Sequence, residues 1–494
     1  MSNRPETNKQ SCPVYKKCGG CQLQNLSYPE QLEFKQRKVE KLLKRFCTVE
    51  KIIGMKTPYH YRNKVQAAFY TDKKGKIISG VYQSGSHHVV GIDSCQTEDV
   101  IADKIIVAVR KLLPSFRMTT YNEDTGKGFL RHILVKRGFA TNQIMLVLVT
   151  GTPVFPSKNN FVKAILKQFP EITTIVQNIN PYRTNLVLGD NQKVLYGNGY
   201  IEDILCGCRF RISPKSFYQI NPVQTEVLYG KAIEFANLKG NETVLDTYCG
   251  IGTIGIIAAK NGAGNVIGAE LNGDAVRDAI VNARANNLKN IRFYKADAGE
   301  FMREAADEDE KPDVVFMDPP RAGSDRKFLD SLIKMSPKKV VYVSCNPETL
   351  ARDLAYLTQN SPYKAQKIQP VDMFPHTAHI ETVVLLSHKK PDGHINVKVE
   401  FGEGEGKVPL DNIAKRAESY KPKERVTYKM IKEYIEAKYG FKVHTAYIAE
   451  VKRDLGLPMY DAPNAVEELK QSRKHPTAEK VEAIKDALKH FEVI

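Results

Sequence analysis

Two different hydrophobic rhythms divide the chain near residue 215. Before that point short apolar strands alternate with turns, and the strands we expect are Lys64–Tyr70, Lys76–Tyr82, His132–Lys136, Gln143–Thr150 and Ile172–Gln177. Apolar residues at helical spacing predict helices over Glu30–Lys44, 98–113 and 158–168. The pattern indicates a mixed α+β region without a nucleotide-binding motif.

After Phe217 strands and helices follow one another regularly. The predicted strands are Thr243–Asp246, Asn265–Glu270, Ile291–Lys295, Asp313–Asp318, Val340–Ser344 and Glu381–Leu386. The predicted helices are 223–236, Thr253–Asn261, Asp274–Asn287, 326–335 and 348–360, and the acidic stretch Ala305–Lys311 is expected to be a loop. Such alternation is typical of a doubly wound, mainly parallel α/β sheet.

The last hundred residues show a third pattern, a linker-like stretch followed by predicted helices. Residues 389–425 are rich in Lys, Gly, Pro and Glu, which predicts a linker with one weak strand at Ile395–Phe401. Helices are expected over 427–439 and 444–455, in an arrangement resembling a helix-turn-helix, and over 476–491. We therefore predict three domains, 1–215, 216–390 and 391–494, with helix 30–44 able to pack on the second.

Composition and charge indicate which class of partner the protein binds and in which cellular compartment it lies. The 494 residues carry a formal net charge of +17, which favours a polyanion such as nucleic acid, although solvated lysines would give the same balance. The amino terminus lacks the apolar core of a signal peptide, and no run approaches the roughly 18 apolar residues of a membrane helix. We expect a cytoplasmic protein whose nine cysteines do not form structural disulfides.

Cys345 directly follows an apolar, β-branched strand. A thiol there lies where open α/β sheets bind their ligands, although a lone cysteine is more often a small buried hydrophobe. Asp318-Pro319-Pro320-Arg321 ends the preceding strand, and Asp246-Thr247-Tyr248-Cys249-Gly250-Ile251-Gly252 opens a glycine-rich loop. A thiol, a carboxylate and a glycine-rich loop at parallel strand ends indicate an active site.

The glycine-rich loop predicts a nucleotide cofactor. Gly250 and Gly252 let the backbone approach a ligand, and the helix that follows adds its positive end. Glu270 ends the next strand, where a carboxylate suits two ribose hydroxyls, and Asp297 follows the strand after that. Because the full GxGxxG pattern is absent, S-adenosylmethionine (SAM) fits better than NAD; ordinary strand–loop–helix packing is the alternative.

A cysteine cluster predicts a metal site. Cys12, Cys18 and Cys21 lie within ten residues, around Gly19-Gly20, and Cys95 is a distant fourth candidate. Thiolates at this spacing bind zinc or an iron–sulfur cluster, and the spacing does not decide between them.

Five motifs together resemble the SAM-dependent RNA uracil-5-methyltransferases, and within them the iron–sulfur enzymes that act on 23S ribosomal RNA. The motifs are Ser216-Phe217-Tyr218-Gln219-Ile220-Asn221, Asp246–Gly252, Asp318–Arg321, Val343-Ser344-Cys345-Asn346-Pro347 and His379-Ile380-Glu381-Thr382-Val383. With the cysteines, the resemblance covers about residues 12–388. It implies a Rossmann-like methyltransferase domain, an α+β iron–sulfur and RNA-binding domain, and methylation of C5 of a uridine.

The resemblance also implies residue roles. Cys345 would be the nucleophile that adds to C6, Glu381 the general base, and Asp318 a neighbour of both substrate and cofactor. The implied SAM contacts are Gln219, Tyr248, Thr253, Glu270, Asp297 and Asp318, with Thr253 standing where some members have Asn. Cys12, Cys18, Cys21 and Cys95 would hold a [4Fe–4S] cluster, and Arg62, Asn63, Lys64 and Arg131 would lie near RNA, although strand packing explains such residues equally well.

Several functions remain open on the sequence alone. The runner-up to 23S ribosomal RNA is the tRNA T-loop uridine, against which the cysteine cluster argues. A catalytically inert RNA-binding assembly factor and an amino-methyltransferase are disfavoured by Cys345, Glu381 and Arg321. We expect an RNA partner, no DNA or membrane partner, and a monomer. The small amino-terminal β-barrel of related enzymes is missing, and residues 391–494 either replace its RNA contacts or form a solvated appendage.

Overall fold

The computed structural model describes residues 12–83, 86–184, 186–308, 310–388, 428–455 and 477–490. The helices before residue 389 are α1 Tyr15–Cys18, α2 Tyr28–Leu43, α3 Val100–Leu112, α4 Lys158–Gln168, α5 Pro222–Ala236, α6 Thr253–Lys260, α7 Gly273–Ala285, α8 Ala298–Asp307, α9 Arg326–Met335 and α10 Pro347–Asn360. The strands are β1 Lys64–Thr71, β2 Ile77–Tyr82, β3 Val89–Gly91, β4 Leu130–Arg137, β5 Ile144–Thr150, β6 Ile172–Ile179, β7 Asn191–Tyr196, β8 Ile201–Leu205, β9 Cys208–Ile212, β10 Thr243–Thr247, β11 Asn265–Glu270, β12 Ile291–Lys295, β13 Val314–Met317, β14 Lys339–Ser344, β15 Tyr363–Val371 and β16 Glu381–His388.

The first sheet is mixed, in the order β3-β2-β1-β4-β5-β6-β7, and only β5 and β6 run parallel among its described pairs. The central strands of this sheet are buried on both faces, because one hydrophobic core covers one face and a second core covers the other. Ile133 and Leu148 face a core shared with α3 and α4, whereas Leu134 and Val147 face the core shared with α5 and α6. The α+β expectation for this region is therefore met, and the sheet is fixed against the methyltransferase-like half.

The second sheet has the order β12-β11-β10-β13-β14-β16-β15. Strands β10 to β14 run parallel, and β16 pairs antiparallel with both β14 and β15. From β10 the strand order runs one way through β11 and β12 and the other way through β13 and β14. The switch between β10 and β13 creates a crevice at the strand ends, where such folds bind ligands. This is the doubly wound, mainly parallel sheet that the alternation predicts.

Helix α2 belongs to the amino-terminal part of the sequence but packs on the second sheet. Ser27 and Glu30 form a capping box at its start, and Val39 and Leu43 are fully buried in the core around β13, β14 and β15. Helix α2 thus packs against one face of the second sheet, the sheet that contains Glu381 at the start of β16.

The described parts of the carboxy-terminal region form α11 Tyr428–Tyr439, α12 Thr445–Asp454 and α13 Ala478–His490. The three helices share a small apolar core that includes Ile431, Ile448 and Ile484. Contacts divide the chain into Met1–Ile413 and Ala414–Ile494, so the first two predicted domains lie within one unit and their boundary at 215 stays a prediction. The weak strand Ile395–Phe401 and the boundary near 390 lie outside the described residues.

Candidate active site

A cavity of about 450 Å³ opens at the carboxyl ends of the parallel strands of the second sheet. Its walls come from the loop before α5, the glycine-rich loop after β10, and the residues that follow β11, β13 and β14. The predicted site residues that line it are Gln219, Tyr248, Gly250, Thr253, Glu270, Asp318, Cys345 and Glu381. The fold therefore brings the candidate nucleophile, base and cofactor residues together in one place.

Strand register places the candidate nucleophile beside the candidate base. Strands β14 and β16 are antiparallel and Ser344 pairs with Thr382, so Cys345 and Glu381 are the next opposed positions. Glu381 is 4% exposed, and burial raises the pKa of its carboxyl, with Asp318 adding to the rise and Arg321 opposing it. Burial, together with Glu381 and Asp318, raises the pKa of the Cys345 thiol to about 11. Burial therefore favours the protonated form of both groups in the ligand-free protein.

Two further carboxyls line the cavity, of which Asp246 is buried and Asp318 is half-buried. Burial raises the pKa of Asp318 to about 7. Burial also raises the pKa of Asp246 to about 7, with Asp318 and Glu270 adding to the rise, although Asp246 accepts a 2.7 Å hydrogen bond from the Gly255 N–H. A cavity with so many carboxyls favours a cationic ligand over an anionic one.

Glu270 is oriented by backbone donors. The Gly250 N–H donates to its Oε2 at 3.0 Å and the Asn272 N–H to its Oε1 at 2.8 Å. Each carboxylate oxygen keeps a further lone pair for a hydroxyl of a ligand. Gly250 has φ +57°, and an added Cβ there would meet nothing within 4 Å, so the loop leaves open space above its backbone.

Two of the residues predicted to contact the cofactor, Gly252 and Asp297, lie outside the cavity lining. Gly252 caps α6 with φ +81°, and an added Cβ would lie 2.5 Å from the Phe293 ring, so this glycine is required by packing. Asp297 caps α8 by accepting from the Gly299 and Glu300 N–H groups. Neither residue is among those that line the cavity.

Sequence reasoning gave no role to several other residues that line the cavity. Among them Phe217, Arg321 and His379 lie within the motifs, whereas Tyr229, Ile254 and Phe374 lie outside them. Sequence reasoning also missed Lys136, a buried lysine whose ammonium donates to the Ser213 and Ser216 carbonyls and so fixes the loop that carries Phe217 and Gln219. Burial lowers the pKa of Lys136 to about 7. The sequence did offer a sign that this lysine is buried, because it lies within the apolar strand predicted over 132–136.

The residues predicted to contact RNA are mostly structural. The Arg131 guanidinium is buried, forms two hydrogen bonds with Glu123, and donates to the Asn180 and Tyr182 carbonyls. Asn63 is 4% exposed and donates to the Gln219 carbonyl. The predicted RNA contact of Arg131 and Asn63 is thus not available in this structure, because their polar groups serve the interior. Arg62 and Lys64 are half-buried.

The four candidate metal cysteines come from distant parts of the chain to one neighbourhood. Burial raises the pKa of the Cys21 thiol to about 12, and Cys95, Cys18 and Cys12 each add to the rise electrostatically, while Arg62 opposes it. All four are reduced and half-buried. Within the described ranges, no three His, Cys, Asp or Glu side chains are arranged as an assembled metal site.

Comparison with known proteins identifies the family. Residues 186–389 match the model of the tRNA (uracil-5-)-methyltransferase family. The chain is 44% identical over 388 residues to an uncharacterized RNA methyltransferase of Bacillus cereus strain ATCC 10987, covering 78% of this chain and 84% of the relative. It is 46% identical over 379 residues to one of Listeria monocytogenes serotype 4b, covering 76% and 83%. The chain belongs to the RNA uracil-5-methyltransferase family.

A solved relative agrees with this assignment. The tRNA (uracil-54, C5)-methyltransferase of Pyrococcus abyssi, in complex with S-adenosyl-L-homocysteine, is 31% identical and superposes with a TM-score of 0.63 over 76% of this chain and 87% of its own. The present protein is thus a SAM-dependent RNA methyltransferase that acts on uracil C5. None of the helices in the described segments is long and apolar enough to cross a membrane.

Proposed function

We propose that this methyltransferase modifies a uridine of 23S ribosomal RNA through a covalent bond between Cys345 and C6 of the uracil. The observation that supports the covalent route is the opposed pair Cys345 and Glu381, in the cavity that also contains Asp318. Uracil C5 is a weak nucleophile, and covalent catalysis divides its methylation into easier steps.

The bound SAM supplies an electrophilic methyl group and, through its sulfonium, a positive charge. A cation in the cavity lowers the pKa of the neighbouring acids, so Cys345 loses its proton to solvent more readily when the cofactor is present. The Cys345 thiolate adds to C6, and the electron pair moves through C5 onto the O4 enolate. C5 would then take the methyl group as the bond from that methyl carbon to the sulfonium sulfur breaks, with the electron pair of that bond leaving on the neutral sulfur of S-adenosylhomocysteine. As a carboxylate, Glu381 removes the C5 proton, the C5–C6 double bond re-forms, and the C6–S bond breaks to restore the thiolate.

The residues around the cavity support named roles in cofactor binding. Glu270, held by two backbone donors, accepts from the ribose hydroxyls. Gln219, Tyr248, Gly250, Thr253 and Asp318 line the same cavity. In the proposed roles the first four contact the cofactor, and Asp318 contacts both cofactor and uracil.

We propose that Cys12, Cys18, Cys21 and Cys95 hold a [4Fe–4S] cluster. The donor set fits: the Cys12, Cys18 and Cys95 thiols interact electrostatically with Cys21. The Arg62 Nε, which is buried and has no hydrogen-bond partner among the described residues, belongs to a guanidinium that also interacts with Cys21. Thiolates are the ligands that iron–sulfur clusters require, and zinc is the other metal that they suit. The cluster would be structural or would position RNA, since methyl transfer needs no redox step.

Cys345→Ala tests the covalent route. The variant should lose turnover and any RNA adduct that survives denaturing gels, while SAM affinity, measured by calorimetry, should stay near that of the parent. Glu381→Gln should instead accumulate the adduct, because addition and methyl transfer proceed while elimination stalls. Substantial methylation by Cys345→Ala would refute the mechanism.

The RNA target needs a separate test, because the Pyrococcus relative acts on uracil 54 of tRNA. That likeness supports the tRNA T-loop uridine as a second candidate, whereas the four cysteines support 23S ribosomal RNA. Mapping 5-methyluridine in ribosomal and transfer RNA from cells that lack the protein decides between them. Loss of the modification from tRNA alone would overturn the ribosomal assignment.

A further inference from the structure

The segment between β15 and β16 carries three residues of the active cavity. We call residues 373–381 the base segment; Phe374, His379 and Glu381 within it line the cavity. The segment makes a tight irregular turn in which His376 has φ +67°, and Thr377 is fully buried. Its path is therefore set by the groups that hold its backbone.

Helix α2 holds the first half of the base segment. The buried Lys35 ammonium forms a 2.5 Å ion pair with Asp372 and donates to the Phe374 carbonyl at 3.0 Å. Gln31, which is 1% exposed, accepts from the His376 N–H at 2.8 Å. Tyr61 donates its hydroxyl to the Pro375 carbonyl at 2.9 Å. Each of these bonds lies before residue 377.

The stretch that follows the cysteine cluster holds the second half. The Leu23 N–H donates to the His376 carbonyl at 3.0 Å. The Gln22 Oε1 accepts from the Ala378 N–H at 3.1 Å, while its Nε2 donates to the Gly19 carbonyl at 2.8 Å. Gly19 directly follows Cys18, and Ala378 directly precedes His379. One amide side chain thus joins the cysteine loop, residues 12–21, to the base segment.

We propose that Gln22 is a positioning residue: it fixes Ala378, and through it His379 and Glu381, relative to the bound uracil. The inference rests on the proposed role of Glu381 as the base. Gln22 touches no ligand itself, so its effect falls on the step that needs Glu381 in place rather than on cofactor affinity. The cysteine loop, once loaded with metal, provides the fixed end of this connection.

The test compares Gln22→Ala with Gln22→Glu in anaerobically purified full-length protein. Alanine removes both hydrogen bonds, whereas glutamate keeps an acceptor for the Ala378 N–H. Since Gln22 is exposed, neither change threatens the core. Gln24→Ala is the matched control, because the Gln24 side chain donates to Gln96, outside the base segment.

For Gln22→Ala we expect kcat to fall about three- to tenfold, with the KM for SAM unchanged, which is the range that loss of its one bond to the base segment gives. Amide hydrogen exchange in peptides covering 373–381 should accelerate. Gln24→Ala should stay within about twofold of the parent in kcat and exchange. Gln22→Glu, which keeps the bond to Ala378 but loses the donor to Gly19, should fall between the parent and Gln22→Ala. The cluster absorbance should persist in all variants. Cluster-free parent protein should also exchange faster over 373–381.

Parent-like kcat in Gln22→Ala would overturn the inference, whether or not the exchange rate changes, and so would an equal loss of kcat in Gln22→Glu. Glu381→Gln, assayed beside them, separates this from the proposed function. If Glu381→Gln stalls with a trapped adduct while Gln22→Ala behaves as the parent, only the positioning role is wrong. If Glu381→Gln turns over normally, the base assignment itself is wrong.

Discussion

Asp318→Asn should stabilise the protein, and more so at high pH. Asp318 is half-buried in the wall of the ligand-free cavity, and desolvation raises its pKa from 3.8 to about 7. Between these two values the folded state keeps a proton that the unfolded chain has lost. Stability from this group is therefore greatest below pH 4 and is lost as the pH rises to 7, where ionisation of this carboxyl opposes folding in full.

The magnitude follows from the size of that shift. At about 1.4 kcal/mol per pKa unit, the ionised Asp318 opposes folding by roughly 4 kcal/mol at pH 8 and by roughly 1.5 kcal/mol at pH 5. Asparagine keeps the shape and cannot ionise. The gain in the free energy of unfolding should thus be about 2–3 kcal/mol larger at pH 8 than at pH 5.

Urea unfolding of the ligand-free variant and parent, at pH 5 and pH 8, measures this difference. Tyrosine fluorescence reports the transition, since the chain has 23 Tyr and no Trp. Asp313→Asn is the control: burial opposes ionisation there, but the Lys338 ammonium and the Thr243 N–H hold the pKa of Asp313 below its usual range. Its small loss of stability should be the same at both pH values. Equal gains for Asp318→Asn at pH 5 and pH 8 would refute the reasoning.

Four further outcomes are expected. Glu270→Ala should weaken SAM binding by roughly 1–3 kcal/mol in calorimetry, and unchanged affinity would remove Glu270 from the cofactor site. The value of kcat/KM should rise with pH between 6 and 9, because the raised pKa values of Cys345 and Glu381 make their deprotonated forms scarce; a falling rate would contradict both roles. Anaerobic protein should contain iron and sulfide in near-equal amounts, and Cys95→Ser should lose them, whereas stoichiometric zinc without iron would exclude the cluster. Truncation after residue 390 should leave SAM binding unchanged and weaken RNA binding at low salt more than at high salt; equal RNA affinity at low salt would assign the extension another role.

Not all of the lysines in the carboxy-terminal helices are free to contact phosphate. Lys438 is paired with Asp486 at 2.8 Å and Lys442 with Glu436 at 3.3 Å, so these two charges are partly neutralised within the described helices. Lys432 is exposed, and the side chains of Lys429 and Arg453 lie outside the described residues. A measured salt dependence would show how much positive charge this unit offers to phosphate.

Regular alternation made the second sheet predictable, because each parallel strand is a short apolar run with a helix after it. Strand β15 was missed, since Lys364, Gln366 and Lys367 interrupt its apolar residues and Pro370 lies near its end. The loop predicted over Ala305–Lys311 was wrong at its start: α8 extends to Asp307, because Met302, Ala305 and Ala306 form a buried face.

The candidate site was predictable where chemistry is concentrated in motifs and not where it depends on distant partners. Cys345 carries a local signal at the end of a strand, whereas the role of Glu381 was predicted only from the family resemblance. Arg131 carries no such signal, because a charged residue in a strand looks like a surface residue until Glu123 and two carbonyls are seen around it. Gln22 and Ala378 are 356 residues apart, and no periodicity connects them.

The ion pair between Lys35 and Asp372 spans 337 residues. On a ribosome that adds about 5–20 residues per second, helix α2 waits roughly 20–70 s before its buried partner has been synthesised. During that time Lys35 and the apolar face of Val39 and Leu43 have no sheet to cover, so the helix must remain solvated or be held by a chaperone. Under the proposed mechanism, the nascent chain has no base until translation has passed Glu381, so Cys345 cannot complete a methylation before then.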